Sequence, residues 1–309
     1  MRTVPLRPTG LSAPNVVLGV MRIADSSDAE IRHLVRAARD AGIDFFDHAA
    51  VYGHRHHHCE ERFAQALRLS PSDRAEITIQ TKAGILPEGY DSSYEHLVAS
   101  AERSLRALRT DYLDVLLIHR PDALVEPDEV ARAFDDLEAA GKVRAFGVSN
   151  HTVGQLELLR SVVRQPLVAN QLQLSLTHAP LIAQGVAANM AGVEQAVPVD
   201  GGGLLDYCRR HRITVQAWSP FQAGFFTGTF LGSPDFPELN AVIDRLAAHY
   251  GVPPIAVATG WITRHPARMQ VVIGTTNPER VAGAAQGSDL PLTRAEWYEL
   301  FRAAGHRTP

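Results

Sequence analysis

IDFFDHAAVYG, residues 43–53, is an apolar run that turns polar where a strand should stop, and the same change recurs in ITIQTKAG, residues 77–84, and YLDVLLIHRP, residues 112–121. Each run has the length and residue types of a strand and leaves an ionisable side chain at or just past its end. The side chains so placed are Asp47 and Tyr52, Lys82, and His119. Successive runs built on one plan imply parallel strands whose ends share a rim, where residues distant in sequence meet in one pocket.

Outward from this stretch the same alternation continues. Strands are expected at 15–20, 44–48, 76–82, 112–119, 143–149, 167–173, 214–219 and 269–274, with amphipathic helical segments between them. Ser27 stands three residues before Glu30, a capping box that opens the first helix ahead of Ile31, Leu34, Val35 and Ala38, and Gly42 follows its end. Ser92 and Glu95 suggest the same device ahead of Leu97, Ala101, Leu105 and Leu108, and Pro127 opens a helix that stops at Gly141. Eight strands, each followed by a helix through mostly short connections, point to one closed (β/α)8 TIM barrel, an α/β fold spanning residues 1–309 as a single domain. An open doubly wound sheet fits the count as well, but no strand-to-helix turn contains GxGxxG. Residues 1–14 are expected to cover the barrel bottom and 292–304 to form a terminal helix outside it. The connections 174–202 and 220–238 exceed ordinary loop length and follow strands on the active rim, so both are expected to cover substrate or cofactor, the first hinged at its glycine run.

Composition excludes several classes. With 45% hydrophobic and 21% charged residues, the chain is an ordinary globular one that can bury a large core. Thirty basic against 34 acidic residues, a net charge of -4 without a long run of either sign, offers nothing to nucleic acid or a membrane surface. Cys59 and Cys208 are too few and too far apart for a disulfide framework or a cysteine metal site, and they read as reduced thiols of a cytoplasmic protein. Pro5, Pro8 and Pro14 break up any apolar core of a signal peptide, and no stretch approaches the roughly 18 apolar residues of a membrane helix.

Taken singly, each polar strand-end residue has a bland reading. Asp47 could serve a turn, Lys82 could be solvated, and His119 could be a buried imidazole bonded to backbone. Together they form a proton-transfer device. A tyrosine hydroxyl has a reference pKa of about 10, a nearby ammonium stabilises its phenolate, and a carboxylate holds the ammonium in place. Tyr52, Lys82 and Asp47 supply those three parts, with His119 as a fourth.

The motifs DHAAVYG (47–53), TKAG (81–84), LLIHRPD (116–122), GVSNH (147–151), NQLQ (170–173), AWSP (217–220) and IGTTNPER (273–280) resemble, in order and through most of the chain, those of the aldo-keto reductase family. In detail the chain is most similar to a bacterial branch of poorly characterised reductases with LLIHRPD and AWSP in this form. The resemblance implies NAD(P)H-dependent reduction of a small-molecule aldehyde or ketone. Tyr52 would be the general acid, supported by Lys82 and Asp47, and His119 would orient the carbonyl or support the proton transfer as a neutral donor.

It further implies that Ser149, Asn150 and Gln171 hold the nicotinamide carboxamide, that Trp218 stacks on its ring, and that Ser219 and Phe221 begin a loop over the pyrophosphate. Gly274, Thr275, Thr276, Asn277 and Arg280, where a strand passes into a helix, would take the adenosine 2'-phosphate. The chain departs from the pattern at Gly274, where well-known relatives place a lysine, and at Gly283 and Ala284, which replace polar residues beside the adenine. With Arg280 retained, NADP is favoured and NAD remains open. HRHHHCE (54–60) invites a metal reading, but adjacent loop histidines lack the spacing of a metal site and are expected instead to line the substrate entrance. Two rivals stand beside the reductase: a cofactor-sensing regulatory partner, which an intact tetrad disfavours, and a metal hydrolase, which would need ligands on other strand ends.

Overall fold

A computed structural model describes residues 1–6, 10–196, 202–224 and 227–308. Eight parallel strands close into a barrel: β1 Val16–Gly19, β2 Phe45–Asp47, β3 Thr78–Ala83, β4 Val115–Ile118, β5 Phe146–Ser149, β6 Leu167–Gln173, β7 Thr214–Trp218 and β8 Gln270–Ile273. Each pairs with its sequence neighbour, and β8 closes onto β1 through Val271–Val16, Val272–Val17 and Ile273–Leu18. Seven fall within the strands expected from sequence, and β3 runs one residue past its expected end at 82.

Alternation along the strands sorts the core into two layers. Val16, Leu18, Phe46, Leu116 and Ile118 point outward and pack with the surrounding helices. Val17, Phe45, Val115 and Leu117 point inward, where Leu6 and Ala13 of an N-terminal antiparallel hairpin, Thr3–Leu6 with Leu11–Pro14, join them. The hairpin therefore plugs the end of the barrel opposite the polar strand ends. Gly147 of β5 has a packing reason: a Cβ there would lie 2.7 Å from a methyl of Leu117 and 2.8 Å from the carbonyl of Ala169.

The helices follow their start and stop signals with one correction. Ser27 and Glu30 form the reciprocal capping box of the helix Asp28–Asp40, which buries Ile31, Leu34, Val35 and Ala38. Burial of the first three stabilises by about 1.5–3 kcal/mol each. The helix Pro127–Ala139 starts on its proline and is followed by Gly141 at φ 69°. The helix Tyr94–Leu108, however, is capped by Ser93, and His96 at its third position makes no capping box. Ser92 is buried instead, its amide donating to Asp122 at 2.9 Å. The C-terminal helix Arg294–Ala303 packs outside the barrel, where Trp297 stacks on Trp261 at 5.0 Å and each indole N–H donates to the other residue's carbonyl. Among the described residues no helix is long and apolar enough to cross a membrane.

Candidate active site

The barrel brings all four polar strand-end residues together. Asp47 ends β2, Lys82 is the penultimate residue of β3, His119 follows β4, and Tyr52 lies in the loop after β2. Lys82 is completely buried. Its ammonium donates to Asp47 Oδ2 at 2.7 Å, to the carbonyl of His48 at 2.7 Å and to Tyr52 Oη at 3.1 Å. Three protons meet three acceptors, which fully satisfies a lysine. The His119 ring stands edge-on to that of Tyr52, with centroids 6.0 Å apart.

Burial and charge set the protonation states. Burial works against the Lys82 charge, but the Asp47 carboxylate and Tyr52 outweigh it and raise the lysine above its ordinary value. For Tyr52 the balance falls the other way from the simple expectation of an ammonium lowering it. Burial raises the phenol, and Lys82 offsets only part of that rise. Tyr52 therefore keeps its proton near neutrality, as a donor must. Burial first, then Lys82 and Arg120, hold His119 well below the usual imidazole range, so its ring is neutral.

Beneath the site runs a chain of buried amides, of which sequence reading singled out only Gln171. Asp47 Oδ1 accepts from Gln80 at 2.6 Å and from Gln171 at 3.1 Å. Both glutamines also donate to Gln216 Oε1. The Gln216 amide donates in turn to Gln80 and Gln270, and Gln270 to the carbonyl of Pro14 beside the hairpin plug. This network fixes one Asp47 oxygen and directs the other at Lys82. It also uses both amide protons of Gln171, so only the Gln171 oxygen remains for a ligand.

From Tyr52 a cavity of about 680 Å³ extends along the rim past Trp218 to Arg280. Ser149 donates to the Gln171 carbonyl, Asn150 to Ser149, and the Trp218 indole to Asn150 Oδ1 at 3.1 Å, which locks the indole in place. Asn150 and Ser219 hold left-handed backbone, φ 62° and 52°, where their strands break off, a conformation that concentrates at functional sites. Phe221, Thr275, Thr276 and Arg280 line the cavity. Asn277 is the exception. Its side chain caps the helix Pro278–Gln286, accepting from the amides of Glu279 and Arg280, so those amides are already occupied.

The main residue missed from sequence is Arg22, three positions past the end of β1. Its guanidinium donates to the Gly274 carbonyl at 2.6 Å, and a Cβ on Gly274 would lie 2.8 Å from Arg22 Nη1. A guanidinium from near the N-terminal end of the chain thus lies beside position 274. A Cβ on Gly283 would crowd Ile255 and Pro253 at 3.0–3.1 Å, and with Pro254 these two form an apolar wall of the same cavity.

The two long connections differ. The second lines the cavity through Phe221, Gln222, Gly228, Thr229 and Leu231, while its Phe225 and Phe226 lie outside the described residues. No described residue of 174–202 lines the cavity. That connection carries the helix Pro180–Val186, bonds through Ser175 and Thr177 to the carbonyls of Gln222 and Ala223, and through Leu176 and Gln195 to His306 and Arg307. It braces the second loop and the C-terminal tail. Gly201 of its glycine run lies outside the described residues. None of His54, His56, His57 and His58 lines the cavity either: His54 pairs with Asp25, His56 bonds to the Ile85 carbonyl, and His56 and His57 line a separate cavity.

A family model described as the aldo/keto reductase family matches residues 15–303. The chain is 35% identical over 307 residues to an uncharacterized oxidoreductase, YcsN, of Bacillus subtilis, with 95% of each covered. It is also 35% identical over 308 residues to a 6-dehydroglucose reductase of Agrobacterium fabrum, again with 95% of each covered. Among solved structures, a thermostable aldo-keto reductase, Tm1743, solved with the inhibitor epalrestat, matches with a TM-score of 0.77 at 23% identity, covering 98% of this chain and 100% of that one. The structural likeness speaks for the fold. The family model and the sequence relatives go further, and by them the chain belongs to the aldo/keto reductase family of oxidoreductases.

Proposed function

We propose that the protein reduces an aldehyde or ketone to an alcohol, with NADPH favoured over NADH. The observation that carries this reading is the three-way bonding of Lys82 to Asp47, the His48 carbonyl and Tyr52. It gives a tyrosine that is protonated at neutral pH and an adjacent ammonium ready to stabilise its phenolate. A reduced nicotinamide held against Trp218 would supply hydride to the carbonyl carbon. Tyr52 gives its proton to the carbonyl oxygen, and Lys82 stabilises the phenolate left behind until solvent returns a proton. His119, neutral and beside Tyr52, orients the carbonyl by donating a hydrogen bond to it.

The residues fit such a cofactor. Trp218 offers a flat face fixed by Asn150, while Ser149, Asn150 and the Gln171 oxygen offer partners for a carboxamide. Arg22 and Arg280, both on the cavity wall near Thr275 and Thr276, provide two guanidiniums for phosphate, and Pro253, Pro254 and Ile255 an apolar wall for the adenine. At the substrate end Arg120 approaches the Trp218 ring to 5.8 Å and favours a hydroxylated or anionic carbonyl compound. The name of the Agrobacterium relative, a 6-dehydroglucose reductase, lies in the same direction.

The test is a panel of aldehydes, ketones and oxidised sugars with NADPH or NADH, followed by loss of reduced-cofactor absorbance. Carbonyl-dependent oxidation of NADPH that disappears in Tyr52→Phe is expected. Tight cofactor binding with no turnover on any carbonyl would leave a purely binding role in its place.

A further inference from the structure

The run HRHHHCE has a place in the fold for which carbonyl reduction has no use. His57 takes left-handed backbone at φ 64° as the cap of the helix His58–Leu67, which turns Arg55, His56 and His57 toward a second cavity of about 490 Å³ on the outer face of the barrel. The opposite wall is the end of the helix Tyr94–Leu108, with Arg103, Arg106 and the helix cap Arg109.

Charge in this cavity is strongly one-sided. Four arginines line it against a single carboxylate, Glu61, and that carboxylate is already held by both terminal nitrogens of Arg55. Arg103, Arg106 and Arg109 enter no ion pair among the described residues. A helix C-terminus welcomes a cation, which accounts for one arginine of the three. Like charges three residues apart repel, and Glu102 beside Arg106 offsets only part of that repulsion, so an entering anion would be favoured. The whole chain carries a net charge of -4, which makes this groove a local exception.

We infer that the groove is a binding site for a small phosphate-bearing ligand, gripped by Arg103, Arg106 and Arg109. Guanidinium forks match phosphate oxygens in geometry and in charge. The cavity exceeds a bare phosphate and falls in the size range of small-ligand sites, and Ala107 is its one apolar lining residue, so the remainder of the ligand is polar, as in a sugar phosphate. Its concave shape suits a small molecule better than a nucleic-acid backbone, which asks for an open basic stripe. The floor is tied to the segment that presents Tyr52. The His57 amide donates to the Ala50 carbonyl at 2.6 Å, its ring pairs with Glu60 at 2.6 Å, and Glu60 accepts from Thr81, the neighbour of Lys82. An occupied groove therefore steadies residues 50–57 as well as its own rim.

Calorimetric titration of inorganic pyrophosphate, at physiological ionic strength, tests this. Saturable binding is expected, weakened by about tenfold or more in Arg103→Gln/Arg106→Gln when both proteins compared also carry Arg22→Ala/Arg280→Ala, which removes the guanidiniums proposed for the cofactor phosphate. The first pair lies on an exposed helix face and the second in the active-site cavity, so the two phosphate sites are told apart. Hydrogen exchange on the unmodified chain gives a second measure: pyrophosphate should slow exchange in residues 50–61 and 99–109. No saturable binding, equal binding by the Arg103/Arg106 variant, or protection confined to residues 274–283 would each overturn the inference.

Discussion

Replacing Asp47 with Asn changes one atom and removes one buried charge. In the parent protein Lys82 Nζ lies 2.7 Å from Asp47 Oδ2, and Lys82 is wholly buried. An unpaired ammonium in such a place costs about 3–5 kcal/mol. The lysine can escape that cost only by releasing its proton. From an unfolded pKa of about 10.4, release costs about 4.6 kcal/mol at pH 7 but only about 2 kcal/mol at pH 9.

The sign is opposite in the two proteins. In the parent the folded lysine is raised, so its contribution is complete below the unfolded value and is lost only as pH climbs through the higher folded value. In Asp47→Asn burial prevails and the folded value drops below the unfolded one, so the variant recovers stability as pH rises. Urea denaturation followed by circular dichroism should therefore show a deficit of about 3–5 kcal/mol at pH 7 that shrinks to about 2 kcal/mol at pH 9. Turnover at pH 7 should fall with it, by at least about tenfold, since the Lys82 ammonium is no longer held by a carboxylate against Tyr52 Oη. A deficit below about 1 kcal/mol, or one that is the same at both pH values, would refute the claim that Lys82 is held charged by Asp47.

Tyr52→Phe should keep the fold and cofactor affinity but lose at least about a hundredfold in turnover, measured with any carbonyl the parent reduces, because only the transferable proton is gone. Arg22→Ala and Arg280→Ala should each weaken NADPH by about tenfold or more while changing NADH little, as read by fluorescence titration. Equal losses for both cofactors in Arg22→Ala would place its guanidinium away from the 2'-phosphate. His48 is fully buried, neither ring nitrogen has a hydrogen-bond partner among the described residues, and burial lowers it to about 4. As pH falls below about 6.5 the unfolded chain binds the proton first, so this group alone should cost about 2 kcal/mol between pH 8 and pH 5. His48→Leu should flatten that part of the denaturation profile, and an unchanged slope would mean that the ring is protonated in the fold.

The barrel was legible because strand after strand alternates and ends on a polar residue, as in ITIQTK and YLDVLLIH. The meeting of Asp47, Tyr52, Lys82 and His119 followed from parallel strands sharing a rim. Arg22 was not legible, since it belongs to no motif and reaches a carbonyl 252 residues away. Two adjacent serines, either of which could cap, hid that Ser93 is the cap because Ser92 is drawn inward by Asp122. Loop length suggested that 174–202 covers the site, but length carries no direction, and the hydrogen bonds of Ser175, Thr177 and Gln195 lead elsewhere. The glutamines did leave a signal: Gln80, Gln171, Gln216 and Gln270 each interrupt an apolar strand.

That ladder of amides has a polarity. It ends on the Asp47 carboxylate at the rim and on the Pro14 carbonyl at the plug, and both are pure acceptors. Every rung between must therefore face one way. Turning the Gln216 amide over would set NH₂ against the NH₂ of Gln80 and Gln171, and oxygen against the oxygen of Gln270. Exchange of any single rung for an apolar residue strands its neighbours at a cost of about 1–3 kcal/mol each, whereas exchange of all of them together strands only the two ends, Asp47 and the Pro14 carbonyl. A lineage of such barrels could thus alter its rim one residue at a time, but it could cross from a polar to an apolar interior only in a single concerted step.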